Sequence, residues 1–235
     1  MYTKWNEKSL ANYDKNVKDT LSYLGKNINE CSIHIGKGNS KTDCIEEGTS
    51  AGVNGTCDKS CCGNCREGCY AIVHQDGIYN RCLKNHAENT VMRRQNREAY
   101  YTAFFEFANK KFKPLRVNES GDFECKDDII ALMTVAKKFP LVKVIGYTKR
   151  ANLLSFVARL NTLDNVMIHY SLGINDDKTV AEKLGVPTTT ITFNHNEVKC
   201  LNQLFKKKGK IWTCRICAEK CIGCFSNKPM VFYAH

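Results

Sequence analysis

Cysteine sets the chemistry of this chain. Fourteen cysteines are present, and four of them, Cys214, Cys217, Cys221 and Cys224, fall within eleven residues near the C-terminus. A second group, Cys57, Cys61, Cys62, Cys65 and Cys69, lies far upstream. Thiolates at such short intervals hold iron–sulfur clusters or zinc, or else pair as disulfides. The stretch Met1–Lys8 lacks the apolar segment of a secretory signal, and nowhere is there a run of roughly 18 apolar residues that could span a bilayer. Disulfide frameworks belong to secreted chains, so metal or redox chemistry in a reducing cytoplasm is the expectation.

The C-terminal spacing Cys-x2-Cys-x3-Cys-x2-Cys suits one compact loop wrapped around a cubane. Zinc ribbons place roughly a dozen or more residues between their two Cys-x2-Cys knuckles. Here only Ala218, Glu219 and Lys220 intervene. A [4Fe–4S] cluster is therefore expected, with Cys₄ zinc as the runner-up. Upstream, Cys57, Cys61, Cys65 and Cys69 recur at a regular interval and form the second expected ligand set, while Cys62 with Cys65 offers another pairing. Cys31 and Cys44 either complete a coordination sphere or act as small buried hydrophobes, and the isolated Cys82, Cys125 and Cys200 are expected to be buried. No two histidines have ligand spacing, so His74, His86, His169 and His195 read as structural rather than metal-binding.

The elements that must position these groups follow from periodicity. Residues 86–112 read as one long helix, with Val91, Met92, Ala99, Ala103 and Phe107 on an apolar side and Arg93, Arg94 and Arg97 on others. From Lys113 strands and helices alternate. Leu115–Asn118, Leu141–Tyr147, Val166–Tyr170 and Thr189–Phe193 are the strands. The helices between them are opened by Asp127 and Asp128 and closed before Pro140, centred on Leu153–Ala158, and capped by Asp176 or Asp177 with Gly185 as the stop. This order predicts an α/β fold: a parallel sheet of successive βα units, open or curled into a partial barrel, with cysteine-rich cluster-binding loops at both ends. Ligands of such sheets bind at the C-terminal strand ends. Asn118, Glu119, Ser120, Asp122, Tyr147, Lys149 and His169 fall there and form the expected ligand edge, although helix capping accounts for several of the same residues. Tyr170, Ser171, Asn194 and His195 follow later strands on that edge.

A chain of 235 residues with 43% hydrophobic content supports one packed α/β domain with appendages. The expected division is an irregular N-terminal extension at 1–56, an α/β domain with a cysteine-rich opening loop at 57–205, and a cluster-bearing segment at 206–235 packed on that domain. The formal charge is +11. Two thiolate-held clusters would bring it to about +7. A basic surface points to nucleic acid as one partner, with plain solvation as the alternative reading. A small molecule or redox protein is the other expected partner, and no membrane is. The run Lys206–Lys210 serves equally as a helix end and turn. Gly36–Lys41 lacks the glycine spacing of a phosphate-binding Walker loop.

Several of these motifs occur together in a known order. Gly38-Asn39-Ser40-Lys41, then Cys65-Arg66-Glu67-Gly68-Cys69-Tyr70-Ala71, then Arg116-Val117-Asn118-Glu119-Ser120-Gly121-Asp122-Phe123, then Tyr147-Thr148-Lys149-Arg150 precede the final cysteine group. That order resembles the gene product 88 domain family of phage and other mobile elements, over about residues 36–226. The resemblance implies cysteine-bound iron–sulfur centres in an α/β domain, and the host cytoplasm for a phage-encoded chain. It does not imply a particular reaction. Cys31, Cys44 and Cys62 exceed the family pattern. A more distant likeness is to radical S-adenosylmethionine enzymes, which set a cluster loop before a partial barrel and a glycine-containing polar motif after an early strand. Ser120-Gly121-Asp122 would occupy that place, but the usual Cys-x3-Cys-x2-Cys triad is missing.

Overall fold

The computed structural model describes residues 7–36, 44–57, 69, 71–72, 75, 80–172, 177–192 and 229–233. At its centre is a six-stranded parallel sheet whose spatial order is the chain order. The strands are β1 (Ile45–Glu46), β2 (Leu115–Val117), β3 (Val144–Thr148), β4 (Val166–Ser171), β5 (Thr188–Thr192) and β6 (Met230–Tyr233). Every neighbouring pair is parallel, and β1 and β6 are the two edges, so the sheet is open. The helices are α1 (Glu7–Lys26), α2 (Asn80–Gln95), α3 (Arg97–Lys111), α4 (Lys126–Lys138), α5 (Leu154–Leu160) and α6 (Thr179–Lys183).

Parallel neighbours require a crossover, and crossovers are almost always right-handed. Repeated steps in one direction then collect the helices on one face. Ile45, Leu115, Val117, Val144, Val166 and Ile168 from that face pack with side chains of α3, α4, α5 and α6 in a single core. Gly146 belongs to it too, between Val117 and Ile168 in register. A Cβ there would stand 2.5 Å from Val117 and 2.9 Å from Ile168, so close packing of the strands requires glycine. Side chains alternate, which leaves Glu46, Arg116, Ile145, Tyr147, Met167, His169, Ser171 and Thr189 on the opposite face.

Helix α4 shows how local sequence builds this arrangement. Asp128, Ile129, Ala131, Leu132, Val135 and Ala136 are its buried face, acids occupy the first turn and lysines the last, as the macrodipole favours. Strands β3, β4 and β5 lie within a few residues of their expected spans. Asp177 accepts a hydrogen bond from the Thr179 backbone at 2.8 Å at the start of α6, and Gly185 follows its end with a φ of 68°.

Three expectations need correction. The long helix is two: Asn96 interrupts it, and its side chain accepts from Ala99 N at 3.0 Å to cap α3. Residues 1–56 are not irregular throughout, because they contain the 20-residue α1 and strand β1. Cys82 and Cys125 are half-buried rather than buried, while Cys44 is buried and Cys31 half-buried. Cys200, His74, His195, Asn194 and the Lys206–Lys210 run lie outside the described residues. No described helix is long and apolar enough to cross a membrane.

Candidate functional site

The C-terminal ends of the first three strands are joined by a dense set of hydrogen bonds. Beyond β1 the chain stays in step with the end of β2: Glu47 N donates to Arg116 O, Glu119 N to Glu47 O and Thr49 N to Ser120 O, at 2.8, 2.8 and 2.9 Å. A turn follows in which Thr56 N donates to Ser50 O at 2.9 Å. The Thr56 hydroxyl accepts from Asp122 N at 2.9 Å. Gly121 has a φ of 76°, and a Cβ on it would lie 2.2 Å from the hydroxyls of both Thr49 and Thr56. The turn therefore demands glycine for its backbone conformation and for its space.

Thr56 immediately precedes Cys57, the first of the upstream cysteines. Past the last of them, Gln75 returns to the same turn: its Nε2 donates to Ser120 Oγ at 2.6 Å, and Ser120 Oγ donates to Thr49 O at 2.8 Å. Tyr13 of α1 donates to Gln75 Oε1 at 2.5 Å, which fastens the N-terminal helix to this network. Cys57 and Cys69 are half-buried against a small cluster of Leu10, Tyr13, Val17, Ala51, Ala71 and Ile72. Two thiols on an apolar rim are compatible in kind with the soft, shielded thiolate centre that the resemblance implies. Among the described residues no three metal-binding side chains gather, so any complete ligand set would have to draw on further cysteines. Cys61, Cys62 and Cys65, and the group Cys214, Cys217, Cys221 and Cys224, lie outside the described residues.

Beneath the loops sits a buried ionic network. Arg93 of α2 is fully buried, 3.8 Å from Glu47 Oε1 and 3.7 Å from Asp128 Oδ2, and it donates to Asp122 O at 2.7 Å. Glu47 also accepts from the Tyr100 hydroxyl at 2.7 Å and from Asn118 N at 2.8 Å. Asp128 accepts from Arg97 Nε at 2.7 Å and from Glu124 N at 2.6 Å. Burial alone would lower the Arg93 pKa, but Tyr101, Asp128 and Glu47 around it raise the value instead. Burial also pushes the Tyr100 and Tyr101 hydroxyls well above their ordinary range.

The expected ligand-edge residues divide into two sets. Ser120 and Asp122 are buried in the loop network. The Asp122 carboxylate accepts from Phe123 N and the Thr148 hydroxyl at one oxygen and from Lys149 N at the other, all within 2.8 Å. Burial raises its pKa, while the Lys149 N–H, Thr148 hydroxyl and Phe123 N–H pull it down. Asp122 thus ties the end of β2 to the end of β3. Lys149 contributes its backbone to that tie and keeps a half-buried side chain. Glu119 is half-buried near Cys82, whose thiol pKa is raised by burial and by the Glu119 charge.

Asn118, Tyr147 and His169 form the other set, side by side on three adjacent strands. The Tyr147 and His169 rings are 5.8 Å apart, centroid to centroid, and the Arg116 guanidinium lies 6.0 Å from the Tyr147 ring. Asn118 Nδ2 donates to Tyr147 O at 3.2 Å. Sequence reasoning missed Glu47, Gln75, Arg93 and Arg116. Alternation from Asn118 along β2 could have found Arg116; nothing in the chain distinguishes Arg93 from its solvated neighbour Arg94.

The model of a family described as Gene product 88 matches residues 36–232. No curated protein and no solved structure gives a significant match.

Proposed function

The chain belongs to the gene product 88 family, and from that membership we propose that it is an iron–sulfur protein whose inorganic centre stands beside a small-molecule site at the strand ends. One observation carries this reading. Both ends of the segment bearing the upstream cysteines are hydrogen-bonded to the turn after β2, Thr56 through Asp122 N and Gln75 through Ser120 Oγ. The segment's two ends are thereby anchored at the edge where parallel sheets bind ligands. In this reading Cys57, Cys61, Cys65 and Cys69 hold one [4Fe–4S] cluster and Cys214, Cys217, Cys221 and Cys224 a second. Such a centre supplies electron transfer, or a Lewis acid where one iron lacks a protein ligand. The chain's own part is to orient: Arg93 and Glu47 brace the first two strand ends, and Asp122 fixes the third. The setting is the cytoplasm, the host's if a mobile element encodes the chain.

Purification without oxygen, followed by iron, sulfide and zinc analysis, tests the reading. About four irons and four sulfides per cluster are expected. A colourless protein with stoichiometric zinc and no sulfide refutes it. That outcome leaves a zinc-stabilised nucleic-acid-binding module, which the charge of +11 favours and which predicts binding that weakens steeply with salt. A second reading as a radical S-adenosylmethionine enzyme is favoured by the chain order, with the cysteine segment after β1 and Ser120-Gly121-Asp122 after β2. Likeness of architecture does not transfer activity. Release of 5′-deoxyadenosine by the reduced protein is its test, and none above background refutes it.

A further inference from the structure

The sheet face turned away from the helices carries Glu46, Arg116, Tyr147, His169, Ser171 and Thr189 together with the apolar Ile145 and Met167. A face built only to pack a second apolar layer would alternate in hydrophobic residues. This one instead assembles a cation, two aromatic rings and several hydrogen-bonding groups. Arg116 lies 6.0 Å from the Tyr147 ring centroid, and that ring lies 5.8 Å from His169. The row crosses β2, β3 and β4, so three backbone strands fix its spacing. A guanidinium resting on an aromatic face has lost rotamer freedom before any ligand arrives, which lowers the cost of ordering it.

A second, independent observation comes from Asn118. The β2–β3 register pairs Val117 with Gly146, which sets Asn118 opposite Tyr147. Asn118 is 6% exposed and adopts a φ of 54°, a left-handed conformation that asparagine tolerates better than most residues. Its Nδ2 is engaged by Tyr147 O at 3.2 Å, but its Oδ1 is buried with no hydrogen-bond partner among the described residues. A buried acceptor in that state is unfavourable and calls for a donor beyond those residues, which a ligand would supply.

We propose that this face binds a small organic acid, a carboxylate or a phosphate ester, that bears a hydroxyl or amine next to its anionic group. Arg116 takes the anion, the half-buried Tyr147 ring forms the platform with the fully buried His169 beside it, and Asn118 Oδ1 accepts from the neighbouring donor. Glu46 stands opposite Arg116 in the β1–β2 register, whereas the guanidinium lies 6.0 Å from the Tyr147 ring on the β3 side. The acid therefore bounds the site and disfavours ligands with a second anionic group. The inference rests on reading this edge as a ligand site and is independent of the identity of the inorganic centre.

The test is calorimetric titration of the full-length protein, purified without oxygen, with acetate, glycolate, methyl phosphate and 2-hydroxyethyl phosphate. In one of the two pairs, carboxylate or phosphate, the hydroxyl-bearing member should bind at least about tenfold more tightly. Arg116→Gln should weaken both members of that pair at least about tenfold, and Arg116→Lys should weaken them less. Asn118→Leu should erase the advantage of the hydroxyl while retaining binding of the anion. Urea midpoints of the variants establish that they are folded. The proposal is overturned if no acid binds below about 10 mM, if Arg116→Gln leaves affinity unchanged, or if the hydroxyl confers no preference. Iron and sulfide measured on the same sample judge the cluster separately: acid binding without iron leaves this site standing and removes the iron–sulfur reading, and the converse removes only the site.

Discussion

Replacing Arg93 by methionine removes the cation that joins the ends of β1 and β2 to α4. Methionine keeps much of the side-chain volume, so the main effect is electrostatic. Removing one member of a buried ion pair typically costs about 3–5 kcal/mol, because the partner is left charged and uncompensated. Here both partners keep other donors. Glu47 retains the Tyr100 hydroxyl and Asn118 N, and Asp128 retains Arg97 and Glu124 N. The expected loss is therefore at the lower end, about 3 kcal/mol, a large share of the 5–15 typical of whole domains. Urea denaturation followed by far-ultraviolet circular dichroism measures it. Glu47→Gln should also destabilise, and the double variant should be more stable than the sum of the single losses predicts, by about 1–2 kcal/mol. A loss below about 1 kcal/mol for Arg93→Met, or strict additivity with Glu47→Gln, would refute the view that this network braces the strand ends.

Gly121→Ala should cost about 2–4 kcal/mol in the same assay, combining left-handed strain with the collision against Thr49 and Thr56; a loss within about 0.5 kcal/mol would contradict the packing described. Burial raises the Asp122 pKa above its ordinary 3.8, so the folded state holds this proton more tightly and Asp122 favours folding progressively less as pH rises through that interval. The stability of the native protein relative to Asp122→Asn should thus decline with rising pH just above that value, and urea midpoints rising relative to the variant would contradict it. Cys214→Ser should remove iron from the C-terminal site while the paramagnetic signal of the upstream site survives; joint loss of all iron would mean that the two groups share a site or fold together.

What could be read from the chain was the part governed by period and punctuation. Helix α4 announces itself through paired acids, an apolar stripe and Pro140, and β3 and β4 are rich in branched and aromatic residues. Helix α1 was missed because Leu10, Tyr13, Val17 and Leu24 are widely spaced among polar residues, so the stripe is narrow. Strand β1 is two residues long, too short for any alternation to register. The Asn96 interruption was readable as a cap signal, but the apolar residues on both sides masked it. At the site, Asn118, Tyr147 and His169 followed from the rule that polar residues after strands share an edge. The role of Asp122 did not, since a carboxylate facing a ligand and one clasping three donors look identical until the loops are placed. Arg93 is the extreme case: its burial depends on Glu47, Asp122 and Asp128, which approach it only through tertiary contacts.

The double anchoring of the cysteine segment on Ser120 and Asp122 separates geometry from length. With both moorings fixed, the entropy of closing the intervening chain grows only logarithmically, by about 0.6 kcal/mol for each doubling. Length changes confined to the stretch between Cys57 and Cys69 would therefore cost little in closure entropy, whereas changes beside Ala71 and Ile72 would disturb the apolar cluster they form with Leu10, Tyr13 and Ala51.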